Sequence, residues 1–110
     1  MHGRIATARV RPGAADQVAE GWRSLLSVYA DADAFRGMVS LHDPDADVAV
    51  TLTLWESAAA ADAAVEPLRA ASLAVFADLL LEPPSIATYD VLLDARGPIG
   101  SAPGGQVQDG

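Results

Sequence analysis

The 110-residue chain contains no cysteine, no lysine and no asparagine. Without cysteine there is no disulfide scaffold, no thiolate zinc site and no cysteine nucleophile. Positive charge is scarce: seven basic residues, all arginine, face fifteen acidic ones, giving a formal charge of −8 and a pI near 4.3. A duplex reader needs a basic stripe to neutralise phosphates, so nucleic acid is not an expected partner, and the same sign repels anionic membrane surfaces. No uninterrupted apolar run reaches the ~18 residues of a spanning helix. The opening MHGRIATARV lacks the apolar stretch of a signal peptide, so the expected location is the cytoplasm. The all-arginine basic set, with alanine the commonest residue, reads as the codon bias of a GC-rich bacterial genome and carries no functional meaning. What remains is strongly apolar, with 51% hydrophobic residues and a mean hydropathy of +0.21. Such a chain is too apolar to stay disordered and is long enough for one domain.

Residues 4–11, RIATARVR, hold β-branched Ile5, Thr7 and Val10 and stop at Pro12-Gly13, which reads as a first strand closed by a turn. From Ala15 the apolar period changes: Val18, Trp22, Leu25, Leu26 and Tyr29 form the stripe of an amphipathic helix, with Asp31 to Asp33 closing it and Phe35 plugging its end. MVSLH and VAVTLTLWE flank the turn-rich segment at 43–47 and read as a β-hairpin with a five-residue loop. Ser57 then offers an N-cap to a helix through AAAADAAVE. Pro67 interrupts and opens a fresh helix, LRAASLAVFADLLLE, ended by Pro83-Pro84. A last strand spans 85–94, and residues 95–110, rich in Gly, Pro, Ser and Gln, read as a flexible tail outside the 1–94 domain.

The order β-α-β-β-α-β is the ferredoxin-like split βαβ, an α+β fold. Right-handed crossovers place both helical regions on one face of a four-stranded antiparallel sheet. Along the third strand Val48, Val50, Leu52 and Leu54 alternate with Ala49, Thr51, Thr53 and Trp55, and the fourth strand is equally apolar on both sides. A sheet wetted on one face would show a polar row. One apolar face is therefore left after the helices dock, and the expectation is a homodimer with sheets packed face to face.

Four segments in order, VRPGAADQ, FRGMVSLHDPDAD, LTLWESAAAADA and EPPSIATYDVL, resemble the antibiotic biosynthesis monooxygenase domains of the dimeric α+β barrel superfamily, over roughly residues 4 to 93. The resemblance implies a homodimer acting on a small hydrophobic or aromatic ligand without cofactor, metal or flavin. In the oxygenases of that family a phenolic or anthrone-type substrate is deprotonated to a carbanion that itself reduces dioxygen. The protein then supplies shape, a base and donors for the developing oxyanion. Those oxygenases and the family's haem-degrading members resemble one another in using a pocket asparagine, which this chain lacks. Haem degraders also carry a histidine on the later helix, and residues 58–82 contain none. One fold hosts many functions. A non-catalytic dimeric module that binds a ligand or a protein partner is therefore the second expectation, and haem degradation a distant third.

Four residues are candidates for catalysis. Trp55 matches the family's tryptophan at the end of the third strand, where an indole could donate its N–H to a substrate oxygen; its ordinary role there is to plug the mouth between sheet and helix. His42 suits a general base, since an imidazole ordinarily titrates near pH 6.5, although a histidine at a strand end commonly serves loop carboxylates; His2 lies before the first strand, in a frayed start. Tyr89 could supply a phenolic donor and Arg9 a fixed positive charge for an enolate or carboxylate. Their commoner uses are a core aromatic and a solvated or dimer-rim ion pair. If residue 42 pairs with residue 49, then Met38, Ser40 and His42 share a face with Thr51, Thr53 and Trp55, whereas a slip of one residue separates them. The resemblance puts a cavity between helices and sheet near Trp55, with Tyr89 at its wall and, if the register allows, His42. Trp22, Tyr29, Phe35 and Phe76 fall at core positions. Asp43, Asp45 and Asp47 lack the Gly and terminal Glu of a calcium loop and read as a solvated turn.

Overall fold

Pairing with strands on both sides carries the first strand back to the second residue. In the computed structural model, which describes residues 1–95, β1 runs His2–Arg9, so His2 is a paired strand residue rather than part of a frayed start. Gly13 takes a φ of 77° in the turn that follows, a conformation that favours glycine. Helix α1 (Ala15–Ala30) buries Val18, Leu25 and Tyr29 along the expected stripe and ends at Asp31, whose N–H bonds back to the Ser27 and Tyr29 carbonyls. Strands β2 (Phe35–Asp43) and β3 (Val48–Trp55) form the hairpin. Its loop is one residue shorter than expected, because Asp43 still pairs with Val48. The Asp43 carboxylate accepts from the N–H groups of Asp45 and Ala46 at 2.9 and 3.2 Å, and Asp47, at φ 51°, turns the chain back.

The second helical region is one helix, α2 (Ala58–Phe76), with Pro67 inside it. The Ser57 side chain caps it by accepting from the Ala60 N–H, as expected. A proline in a helix interior costs about 3 kcal/mol. Burying Leu68 and Phe76 on the same helix contributes about 1.5–3 kcal/mol each, and Pro67 itself points to solvent, so packing outweighs the break that local sequence suggests. The helix stops at Phe76 rather than Glu82 because the next residues bond to β1's end: Arg11 N–H to the Leu79 carbonyl and Leu81 N–H to the Arg9 carbonyl, both at 2.9 Å. Strand β4 is Ser85–Asp90, shorter than the expected 85–94. Its neighbour β1 runs out at His2, which pairs with Asp90, and only the Val91 N–H reaches further, to the Met1 carbonyl. The expected tail, apart from Ala95, lies outside the described residues.

The four antiparallel strands lie in the order β2-β3-β1-β4, the ferredoxin-like α+β arrangement expected. Register divides the sheet into two faces. Opposite one another on the helix side stand His2 and Trp55, Arg4 and Thr53, Ala6 and Thr51, Ala8 and Ala49. On that same side Met38 faces Thr53, Ser40 faces Thr51 and His42 faces Ala49, the pairing under which His42 shares a face with Trp55. The other face holds Ile5, Val39, Leu41, Val50, Leu52 and Tyr89. Val39, Leu41 and Tyr89 are exposed there, with no helix over them.

Candidate functional site

The inner face of the sheet is built from small residues, and that choice leaves space. Ala6, Ala8, Ala49, Thr51 and Thr53 form a low floor, and α1 and α2 cannot settle onto it closely enough to fill the gap. A cavity of about 790 Å³ results, walled by Trp22 and Tyr29 of α1, by Leu68 and Phe76 of α2, and by Trp55 at the end of β3. That volume is within the usual range for small-molecule sites. Leu73, Leu81 and Ile86 line it yet remain exposed, so the cavity opens between α2 and β4.

Five of the six aromatic rings form one chain of contacts. Trp22 lies 4.9 Å from Phe76 and 5.6 Å from Tyr29, while Phe35 sits 5.7 Å from Tyr29 and 5.4 Å from Trp55. Edge-on and tilted arrangements of this kind are the favoured ones. Polar groups in the walls are mostly matched to one another. Tyr29 Oη lies 3.1 Å from Ser72 Oγ, and Thr51 Oγ1 lies 3.0 Å from Ser40 Oγ. Trp55 donates its indole N–H to Thr53 Oγ1 at 3.0 Å. Trp55 is only 2% exposed.

The four sequence candidates do not converge. Trp55 lines the cavity, but its N–H already has a partner, so a substrate oxygen would have to compete with Thr53. His42 shares the inner face yet lies at the far end of β2 and does not line the cavity; its Nε2 stands 3.6 Å from Asp47 Oδ1 without a hydrogen bond. Tyr89 projects from the opposite face, because it pairs with Gly3, out of phase with the cavity row. Arg9, opposite Val48, is on that outer face too, 3.7 Å from Glu82. Strand alternation decides both placements: odd-numbered positions of β1 and β4 point away from the helices. The arginine on the cavity floor is Arg4, which sequence reasoning passed over; its even position beside Ala6 and Ala8 was the available signal. Among the described residues, Arg69 and Glu82 are the other charged groups on the walls. Arg69 stands 3.5 Å from Glu66. Neither histidine reaches the cavity, and among the described residues no three of His, Asp and Glu gather as they would around a metal ion.

The family model described as antibiotic biosynthesis monooxygenase matches residues 1–66. No curated protein matches the sequence. Among solved structures, a candidate antibiotic biosynthesis monooxygenase from Nitrosomonas europaea superposes with a TM-score of 0.69 at 19% identity, covering 84% of this chain and 100% of that one. Another from Bordetella bronchiseptica gives a TM-score of 0.72 at 17% identity, over 84% and 97% of the two chains. A protein of unknown function from Nitrosomonas europaea gives 0.71 at 22% identity, over 90% and 95%. Identities this low carry the fold and not the reaction.

Proposed function

The chain belongs to the antibiotic biosynthesis monooxygenase family, and on that premise we propose that it takes a small hydrophobic, aromatic metabolite into the cavity between helices and sheet and oxygenates it without a cofactor. One observation carries this reading: a cavity of about 790 Å³ with four aromatic residues in its walls and a floor of alanine and threonine. In the reaction class suggested, an anthrone-type substrate loses a proton, and the carbanion passes electrons to dioxygen. The methylene carbon ends as a carbonyl holding one oxygen atom, and the second oxygen atom leaves as water together with the two methylene hydrogens. No external reductant is needed. The protein's part is to hold the ring, exclude bulk water and stabilise negative charge.

A non-catalytic binding module is the second reading, and it has support of its own. The Trp55 N–H is taken by Thr53, and no histidine lines the walls, so among the described residues Glu82, itself beside Arg9, is the wall carboxylate available as a base. In both readings the exposed apolar face of Val39, Leu41 and Tyr89 packs against a second copy of the chain. An oxygen electrode separates the two. With anthrone as substrate, catalysis predicts uptake well above the protein-free rate and one molecule of dioxygen per molecule of anthrone. Uptake at the protein-free rate, alongside saturable quenching of Trp22 and Trp55 fluorescence, identifies the binding module.

A further inference from the structure

Among the described arginines, Arg4 has an environment of its own. It is half-buried and lines the cavity, yet its guanidinium makes no ion pair or hydrogen bond with any described residue. Arg9, Arg23 and Arg69 each stand within 3.1–3.7 Å of a glutamate, and Arg36 pairs with Glu56. Arg11 is unpaired but exposed to water. Acid is not in short supply, since the chain carries fifteen acidic residues against seven arginines. Taking a cation partly out of water without a counter-charge is unfavourable, and such a cation beside an apolar cavity is a receptor for an anion. By register Arg4 stands between Thr53 of β3 and Thr88 of β4, two pairs from Trp55 and on the same face of the sheet.

The geometry points to Arg4 as the group that selects the ligand's charge: the cavity takes a flat aromatic molecule bearing one acidic group, a carboxylate, phenolate or enolate. The guanidinium holds the anion by charge-assisted hydrogen bonds, and the ring lies among Trp22, Tyr29, Trp55 and Phe76. In the oxygenase reading the same contact lowers the cost of forming the substrate anion, so the residue serves recognition and electrostatics together. This inference rests on the cavity being the ligand site.

Two fluorescent probes of one scaffold test it. 8-Anilinonaphthalene-1-sulfonate carries a fixed anion, and N-phenyl-1-naphthylamine lacks it. For wild type both probes bind. Arg4→Gln weakens the sulfonate probe ten-fold or more, as expected for loss of a charged hydrogen bond, and leaves the neutral probe within two-fold. Arg23→Gln, on the exposed side of α1 and paired with Glu20 away from the cavity, changes neither. If Arg4→Gln unfolds by circular dichroism, Arg4→Met, with an apolar chain of similar reach, makes the same comparison. Equal binding of the sulfonate probe with and without Arg4 overturns the assignment while leaving the cavity as a ligand site. Failure of both probes to bind wild type overturns the assignment and the cavity reading together.

Discussion

Pro67→Ala is a sharp test of how this fold is held together. Pro67 sits inside α2, with Leu68 buried immediately after it and Phe76 buried at the helix end. Its ring removes the N–H that would bond the Ala63 carbonyl, yet the side chain faces solvent, so replacing it disturbs no packing. Host–guest values place proline about 3 kcal/mol below alanine in a helix interior. Part of that is already relieved where the helix has adjusted to the ring, and proline's stiffening of the unfolded chain opposes about 0.4–1 kcal/mol of the gain. The variant should therefore be about 1–2.5 kcal/mol more stable. For a domain of this size that raises the Tm by about 4–8 °C per kcal/mol. Calorimetry at one fixed protein concentration is the assay, since association also moves Tm. An unchanged or lower Tm would mean that residues 58–76 are not one continuous helix, and the cavity wall built on that helix would lose its basis.

Two further substitutions probe the packing and the outer face. Trp55→Phe removes the buried indole hydrogen bond to Thr53 and should cost about 1–2 kcal/mol in a denaturant melt; a neutral result would show that the bond contributes nothing. Leu41→Arg places a charge in the exposed apolar sheet face, where Leu41 is 59% exposed in the single chain. Light scattering should find a dimer near twice 11.3 kDa for wild type and a monomer for the variant, and a wild-type monomer would remove the face-to-face assembly.

Much of this architecture was legible in the sequence because its elements repeat with clear periods. The Val18–Leu25–Tyr29 stripe, the Ser57 cap and the Asp-rich hairpin turn each state their structure locally. The errors lie where tertiary contacts override local chemistry. Pro67 reads as a boundary until the burial of Leu68 and Phe76 is counted, and Leu79–Leu81 reads as helix until the C-terminal end of β1, beyond its pairing with β4, is seen to recruit it. The site was less legible for a different reason. Arg4 and Arg9 differ only in parity, and parity has meaning only once the strand's inner face is known. Tyr89 and His42 were attractive for their chemistry, but alternation sends one to the outer face and strand length carries the other past the cavity's end. The row Ala6, Ala8, Ala49, Thr51 and Thr53 held the strongest neglected signal: small residues on one face of adjacent strands predict empty space above them.

If this empty space binds the ligand, filling it must weaken binding. Ala6 lies on the cavity floor in β1, flanked by Thr51 and Ile86 on the neighbouring strands, so Ala6→Phe projects a ring into the volume a ligand would occupy. N-phenyl-1-naphthylamine should bind wild type saturably at one molecule per chain and bind the folded variant at least ten-fold more weakly. Equal affinity for both proteins would place the ligand elsewhere and contradict the account.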